Sequence, residues 1–152
     1  MIKSFSNFPI VIQLILVAII AGIILIIPLK IVYEVTGNTA YVLLFNFDYI
    51  PVLNKLKPAW LFGYIFHFVT CVCSVIGLYY ILKAWSLQYS LISYILVYTM
   101  GGGALFFLTC LSNQPPEGDD ALAWLYWTSA HALFGCAVGF MIRILIDEKP
   151  QN

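Results

Sequence analysis

Pro9–Leu29, PIVIQLILVAIIAGIILIIPL, runs for 21 residues without a charged side chain. Three further stretches share that property: Trp60–Leu82, Leu87–Leu111 and Leu122–Ile142, of 23, 25 and 21 residues. All seven basic and all seven acidic residues of the 152-residue chain fall between or beyond these four stretches. About 20 predominantly apolar residues in a helix cross the roughly 30 Å hydrocarbon core of a bilayer. None of the four shows the strict alternation of a barrel strand. In lipid each backbone N–H and C=O must be satisfied within its own segment, so the expected solution is four helices. The fold class read from the chain is therefore an all-α membrane protein, four transmembrane helices in an up-down bundle, in a single domain spanning residues 1–152.

The composition supports that reading from the other side. Apolar residues make up 62% and charged residues 9%, with zero formal net charge. An ordinary soluble domain carries roughly 25% charged residues. Disorder is excluded by the hydrophobicity, and nucleic-acid binding by the lack of any basic field. Trp60, Trp85, Trp124 and Trp127 fall at or near the ends of the stretches, where amphipathic rings favour the membrane interface.

The first stretch is expected to be a retained anchor rather than a cleaved signal. It exceeds the length of a signal core, and the bulky Pro28-Leu29-Lys30-Ile31-Val32-Tyr33 follows where small residues would be needed. Cys71, Cys73, Cys110 and Cys136 all fall inside the stretches, so no disulfide framework is expected. With the N-terminus in the cytoplasm, Lys3, Lys83, Arg143 and Lys149 lie inside, and Lys30, Lys55 and Lys57 outside. That small bias, and an acidic third loop, favour both termini inside.

The connections differ in kind. Lys83–Ser86 is short enough to predict a tight antiparallel pair between the second and third spans. The first loop, residues 30–59, contains the apolar run Ala40-Tyr41-Val42-Leu43-Leu44-Phe45, too short to span. It is expected either to lie in the interface or to pack over the helix ends. In the third loop Pro115-Pro116 precedes Glu117, Asp119 and Asp120. An aspartate just before the fourth span is placed to cap it, while the remaining acids could form a cation-gathering rim.

Within the spans the small and polar residues carry the information, because leucine gains little by leaving lipid for another helix. Gly63, His67, Thr70, Ser74 and Gly77 recur at helical spacing on the second span and predict a protein-facing seam. Trp124, Thr128, His131, Gly135 and Gly139 do the same on the fourth. Gly135 and Gly139 form a GxxxG pair, readable as packing within the bundle or as the face of a homodimer. Gly101-Gly102-Gly103, in mid-span, predicts a kink or close contact, with a broken helix lining a site as the functional alternative.

Catalytic chemistry has no motif to support it. HExxH, GxSxG and phosphate-binding glycine loops are absent. Cys71 shares a helical face with His67, which permits metal binding without indicating it, and no metal is assigned. His67 and His131 are the ionisable side chains within the spans that titrate near neutral pH. Counted from their span ends they reach similar depths, and the second and fourth spans run in the same direction. Three readings stay open: two packed neutral imidazoles, a proton-sensing pair, or a haem b held by both histidines.

Two segments resemble the YagU-like bacterial inner-membrane proteins. One is His67-Phe68-Val69-Thr70-Cys71-Val72-Cys73-Ser74-Val75-Ile76-Gly77-Leu78-Tyr79. The other runs from Pro115-Pro116 through the acids to Trp127, Ser129, His131, Phe134-Gly135 and Arg143. The chain departs from that family in lacking first-loop cysteines and any acid beside His131. The resemblance implies a multi-pass protein of the bacterial inner membrane that contributes to acid or envelope stress tolerance. A haem-binding subunit, or an assembly partner of another membrane protein, are the other classes considered.

Overall fold

The computed structural model describes residues 8–55 and 59–146, so Lys3, Lys57, Asp147, Glu148 and Lys149 lie outside the described residues. It is an all-helical four-span bundle, with α1 Ile10–Thr36, α2 Ala40–Leu43, α3 Ala59–Ala84, α4 Leu91–Leu105 and α5 Ala121–Leu145. A 3-10 turn, Leu53–Lys55, precedes α3, and α4 runs on as a 3-10 helix over Phe106–Leu111. α1, α3, α4 with its extension, and α5 are each long and apolar enough to cross a membrane.

The helix ends differ from the charge-free stretches for local reasons. α1 was expected to stop at Leu29, but it continues through Lys30 and Glu34 to Thr36. Those two side chains form an ion pair one helical turn apart, which supports the helix as it leaves the hydrocarbon. At 27 residues α1 is about 40 Å long, more than the core requires. Gly37 ends it at φ 73°, a left-handed conformation that an L side chain would resist, and its N–H bonds the Tyr33 carbonyl (2.9 Å). α4 starts at Leu91 rather than Leu87, because Ser90 caps it: Ser93 N–H donates to Ser90 Oγ (3.4 Å). Asp120 caps α5, accepting from Ala123 N–H (2.9 Å), while Glu117 and Asp119 stand exposed.

Close packing follows the order α3, α1, α5, α4. α1 sits in the middle through Ala18, Ala21 and Gly22, and a side chain at Gly22 would press on Phe68 and Cys71 of α3. α4 and α5 form the most extensive pair. A Cβ at Gly135 would stand 2.7 Å from the Tyr94 carbonyl oxygen, and one at Gly139 2.9 Å from Leu91 Cδ1. The GxxxG pair is therefore filled by α4 of the same chain and is not a free face for a second copy.

Two expectations are corrected here. α3 and α4 share the shortest connection between spans, yet they are not a closely packed pair. Ser86, at φ 58°, turns the chain, and α4 leans away onto the glycine face of α5. The protein-facing side of α3 is also rotated from the predicted seam. It is the row Gly63, His67, Cys71, Val75, Leu78 and Leu82 that is buried. Thr70 and Gly77 are exposed, Ser74 is half-buried, and nothing lies within 4 Å of a Cβ at Gly77. His67, Phe68 and Cys71 take the α1 contact at Gly22, and Thr70 and Ser74 turn toward the opening between α3 and α4.

The first loop packs over the bundle end, the second of its two expected placements. Ala40, Leu43, Leu44 and Phe47 are buried, and a Cβ at Gly63 would meet the Phe45 carbonyl oxygen at 2.6 Å. Two hydrogen bonds clasp it to the third loop: Asn46 Nδ2 donates to Ser112 Oγ (2.7 Å), and Asn113 N–H to Asp48 Oδ2 (3.3 Å).

Candidate functional site

Where α3 and α4 part, a cavity of about 430 Å³ opens under the first loop. Leu43, Leu44, Tyr49 and Ile50 form its roof; Phe66, His67, Thr70, Cys71 and Ser74 line the α3 side. Val97, Tyr98, Gly101, Gly102 and Leu105 line the α4 side, and Trp127, His131 and Phe134 the back, on α5. No lining residue carries a formal charge. This size, apolar character and handful of polar groups are those of a small-molecule site. At the roof, burial and then the neighbouring Asp48 push the Tyr49 phenol up from its ordinary pKa, so it stays protonated.

The glycine run of α4 shapes the wall, and each residue does so differently. α4 stays helical across Gly101-Gly102-Gly103, as the close-contact reading had it, and the change to 3-10 geometry waits until Phe106, so the alternative of a helix broken at the glycines does not apply. Gly101 leaves open space, with nothing within 4 Å of a Cβ. Gly102 admits His131, whose Cβ would lie 2.6 Å from an added methyl. Gly103 faces Thr128 at 3.3 Å. With no side chains to shield them, two carbonyls of the run accept from indoles. Trp127 Nε1 donates to Gly102 (2.7 Å), and Trp124 Nε1 to Gly103 (3.1 Å).

That pairing corrects the reading of Trp127 as an interface anchor. Trp60 and Trp85 are 67% and 70% exposed at helix ends, as anchors should be, but Trp127 is 6% exposed and locks α5 to α4.

Both predicted histidines reach the cavity, as their matched depth on two parallel-running helices required. His131 Nδ1–H donates to the Trp127 carbonyl one turn back (2.9 Å), and its ring lies 4.4 Å from that of Trp127. His67 Nε2–H donates across to the Gly22 carbonyl of α1 (3.3 Å), with Cys71 Sγ 3.8 Å from the same nitrogen. A neutral imidazole has one N–H, so each ring spends its donor on backbone and keeps one lone-pair nitrogen: Nε2 of His131 and Nδ1 of His67. Tyr98, missed in the sequence, stacks edge-on against Phe134 (4.7 Å), its buried hydroxyl beside Ser74 but in no hydrogen bond of good geometry. Thr128 Oγ1 is likewise buried without one.

Among the described residues no three or more His, Cys, Asp or Glu side chains group as a metal site. Glu117, Asp119 and Asp120 stand on the loop and do not join the cavity. No protein-family model, no curated protein and no solved structure matches the chain. What the arrangement can do chemically is hold an uncharged, mostly apolar molecule and meet its polar atoms at a few fixed points.

Proposed function

We propose that the chain is a non-enzymatic binding protein of the bacterial inner membrane, both termini cytoplasmic, that takes a small uncharged amphiphile sideways from the bilayer. The observation that carries this is the uncharged cavity between α3 and α4, open where the two helices part. Lipid-facing Val97 and Leu105 stand on its rim, about half exposed, so an apolar tail could remain in the membrane while the head enters. A loop clasped by Asn46–Ser112 and Asp48–Asn113 closes the aqueous side.

The test uses the full chain, purified in mild detergent, with extracted small molecules identified by mass spectrometry. Gly101→Phe fills the cavity from a position that leaves room for a side chain. The native protein should carry a bound amphiphile that this variant lacks; equal content in both would refute the reading.

Acid tolerance, implied by the family resemblance, draws on the same site. Protonating either imidazole would set a charge into a cavity with no carboxylate on its wall, which disfavours retention of an apolar occupant. Unchanged acid survival of a deletion strain would remove that role. Haem b held by both histidines is less well served. Axial ligation needs a lone pair from each ring aimed at one iron, and with Nε2 donating to Gly22, His67 has only Nδ1 to offer. A visible Soret band in the purified protein would reverse that judgement.

A further inference from the structure

We infer that the cavity selects amphiphiles whose ring-borne head group carries a hydroxyl, a phenol- or quinol-class lipid, and that His131 accepts the bond this hydroxyl donates. The inference rests on the binding reading above and narrows it to one ligand chemistry.

Charge is the first filter. Phosphate, carboxylate and ammonium heads would each need a counter-charge, and no Lys, Arg, Asp or Glu lines the wall. The second is hydrogen-bond polarity. With Nδ1–H committed to the Trp127 carbonyl, His131 can offer a ligand only the lone pair of Nε2. His67 has likewise committed its N–H, to Gly22. Ser74 Oγ donates to the Cys71 carbonyl (3.0 Å). Tyr98 lines the wall with a buried hydroxyl that stands beside Ser74 without a hydrogen bond of good geometry, so it can turn its hydrogen to a ligand. The wall therefore presents imidazole lone pairs that can only accept, on His131 and His67, beside hydroxyls that can donate, Tyr98 among them. A hydroxyl answers both at once, because its oxygen accepts while its hydrogen is given away. A carbonyl can answer Tyr98 but leaves the histidine lone pair bare, and an ether does no better.

Shape is the third filter. Phe66, Tyr98, Trp127 and Phe134 supply flat aromatic surface, and Gly101 leaves open space in the α4 wall. A planar ring fits such a slot better than a branched or bulky head.

The experiment measures saturable binding of tritiated 4-nonylphenol and of its methyl ether, 4-nonylanisole, to the full chain in phosphatidylcholine nanodiscs, with empty nanodiscs subtracted. The two probes differ by one donated hydrogen. The phenol should bind about tenfold more tightly, the effect of leaving one buried acceptor unmet. His131→Leu should bring the two affinities within about twofold of each other. Tyr98→Phe, which keeps the ring and removes only the hydroxyl, should weaken the phenol severalfold yet preserve its advantage over the ether. Equal affinity of the native protein for both probes would overturn the hydroxyl selection and leave the binding site standing. Binding of both that survives Gly101→Phe, or no saturable binding of either, would overturn the site and the selection together.

Discussion

Replacing Gly102 by alanine should damage the protein, and the same change one residue earlier should not. A methyl at Gly102 would stand 2.6 Å from His131 Cβ, where non-bonded carbons settle at about 3.5–4.0 Å. α4 and α5 must therefore part by about 1 Å at that level. Overpacking of this kind costs about 1–3 kcal/mol. The displacement also stretches the 2.7 Å bond from Trp127 Nε1 to the Gly102 carbonyl, worth about 1 kcal/mol. Alanine's better helix propensity returns up to about 1 kcal/mol on scales measured in water. The net is a loss of roughly 1–3 kcal/mol, from the same principles. At Gly101 only the propensity remains, because nothing lies within 4 Å, so Gly101→Ala should be neutral or stabilising by up to about 1 kcal/mol. Equilibrium unfolding in mixed micelles, titrated with sodium dodecyl sulfate, measures both variants. Equal stabilities, or a more stable Gly102→Ala, would refute the close α4–α5 approach at His131.

Gly135→Leu should lower the melting temperature in detergent with no change of oligomeric state, since its Cβ would press on the Tyr94 carbonyl of the same chain; an unchanged melting temperature would remove the contact from the account. Asp120→Ala should destabilise by about 1 kcal/mol through loss of the α5 cap, whereas Asp120→Asn should stay within a few tenths and exposed Asp119→Ala should do nothing. Chemical denaturation of the three variants checks that order, and a larger effect at Asp119 would contradict it. A reporter fused to the C-terminus should be active in the cytoplasm; activity confined to the periplasm would overturn the orientation.

Much of the fold was legible because lipid forbids most alternatives. Charge-free length located four spans, and the aspartate before the last was readable as a cap because a helix start needs an acceptor. His67 and His131 could be brought to one level by counting, since helices of known rise and direction leave little freedom along their axes. Rotation about those axes was harder. The small polar row Thr70, Ser74, Gly77 reads as a packing seam, but a row of that kind equally suits a cavity wall, and the sequence does not say that the row of His67 and Cys71 is the one that meets α1 at Gly22. Neighbour order was not readable either, because a short turn between α3 and α4 says how near two helix ends are and nothing about how far the helices diverge. Tyr98 left no signal beyond being one tyrosine among ten. Trp127 did leave one: it recurs three residues after Trp124 on a helix facing a span with three carbonyls bare of side chains, a match visible only once the two spans are paired.

The central position of α1 has a bearing on how the protein is made. It packs against α3 on one side and α5 on the other, so the first of these four spans is completed by the fourth. α1 and α3 can meet while the ribosome is still at work, but α4 has its main partner in α5 and must wait in the membrane with its glycine face uncovered. Assembly of these spans is a joining of two halves across α1, and a nascent chain stalled before Ala121 would hold the first half without the means to close it.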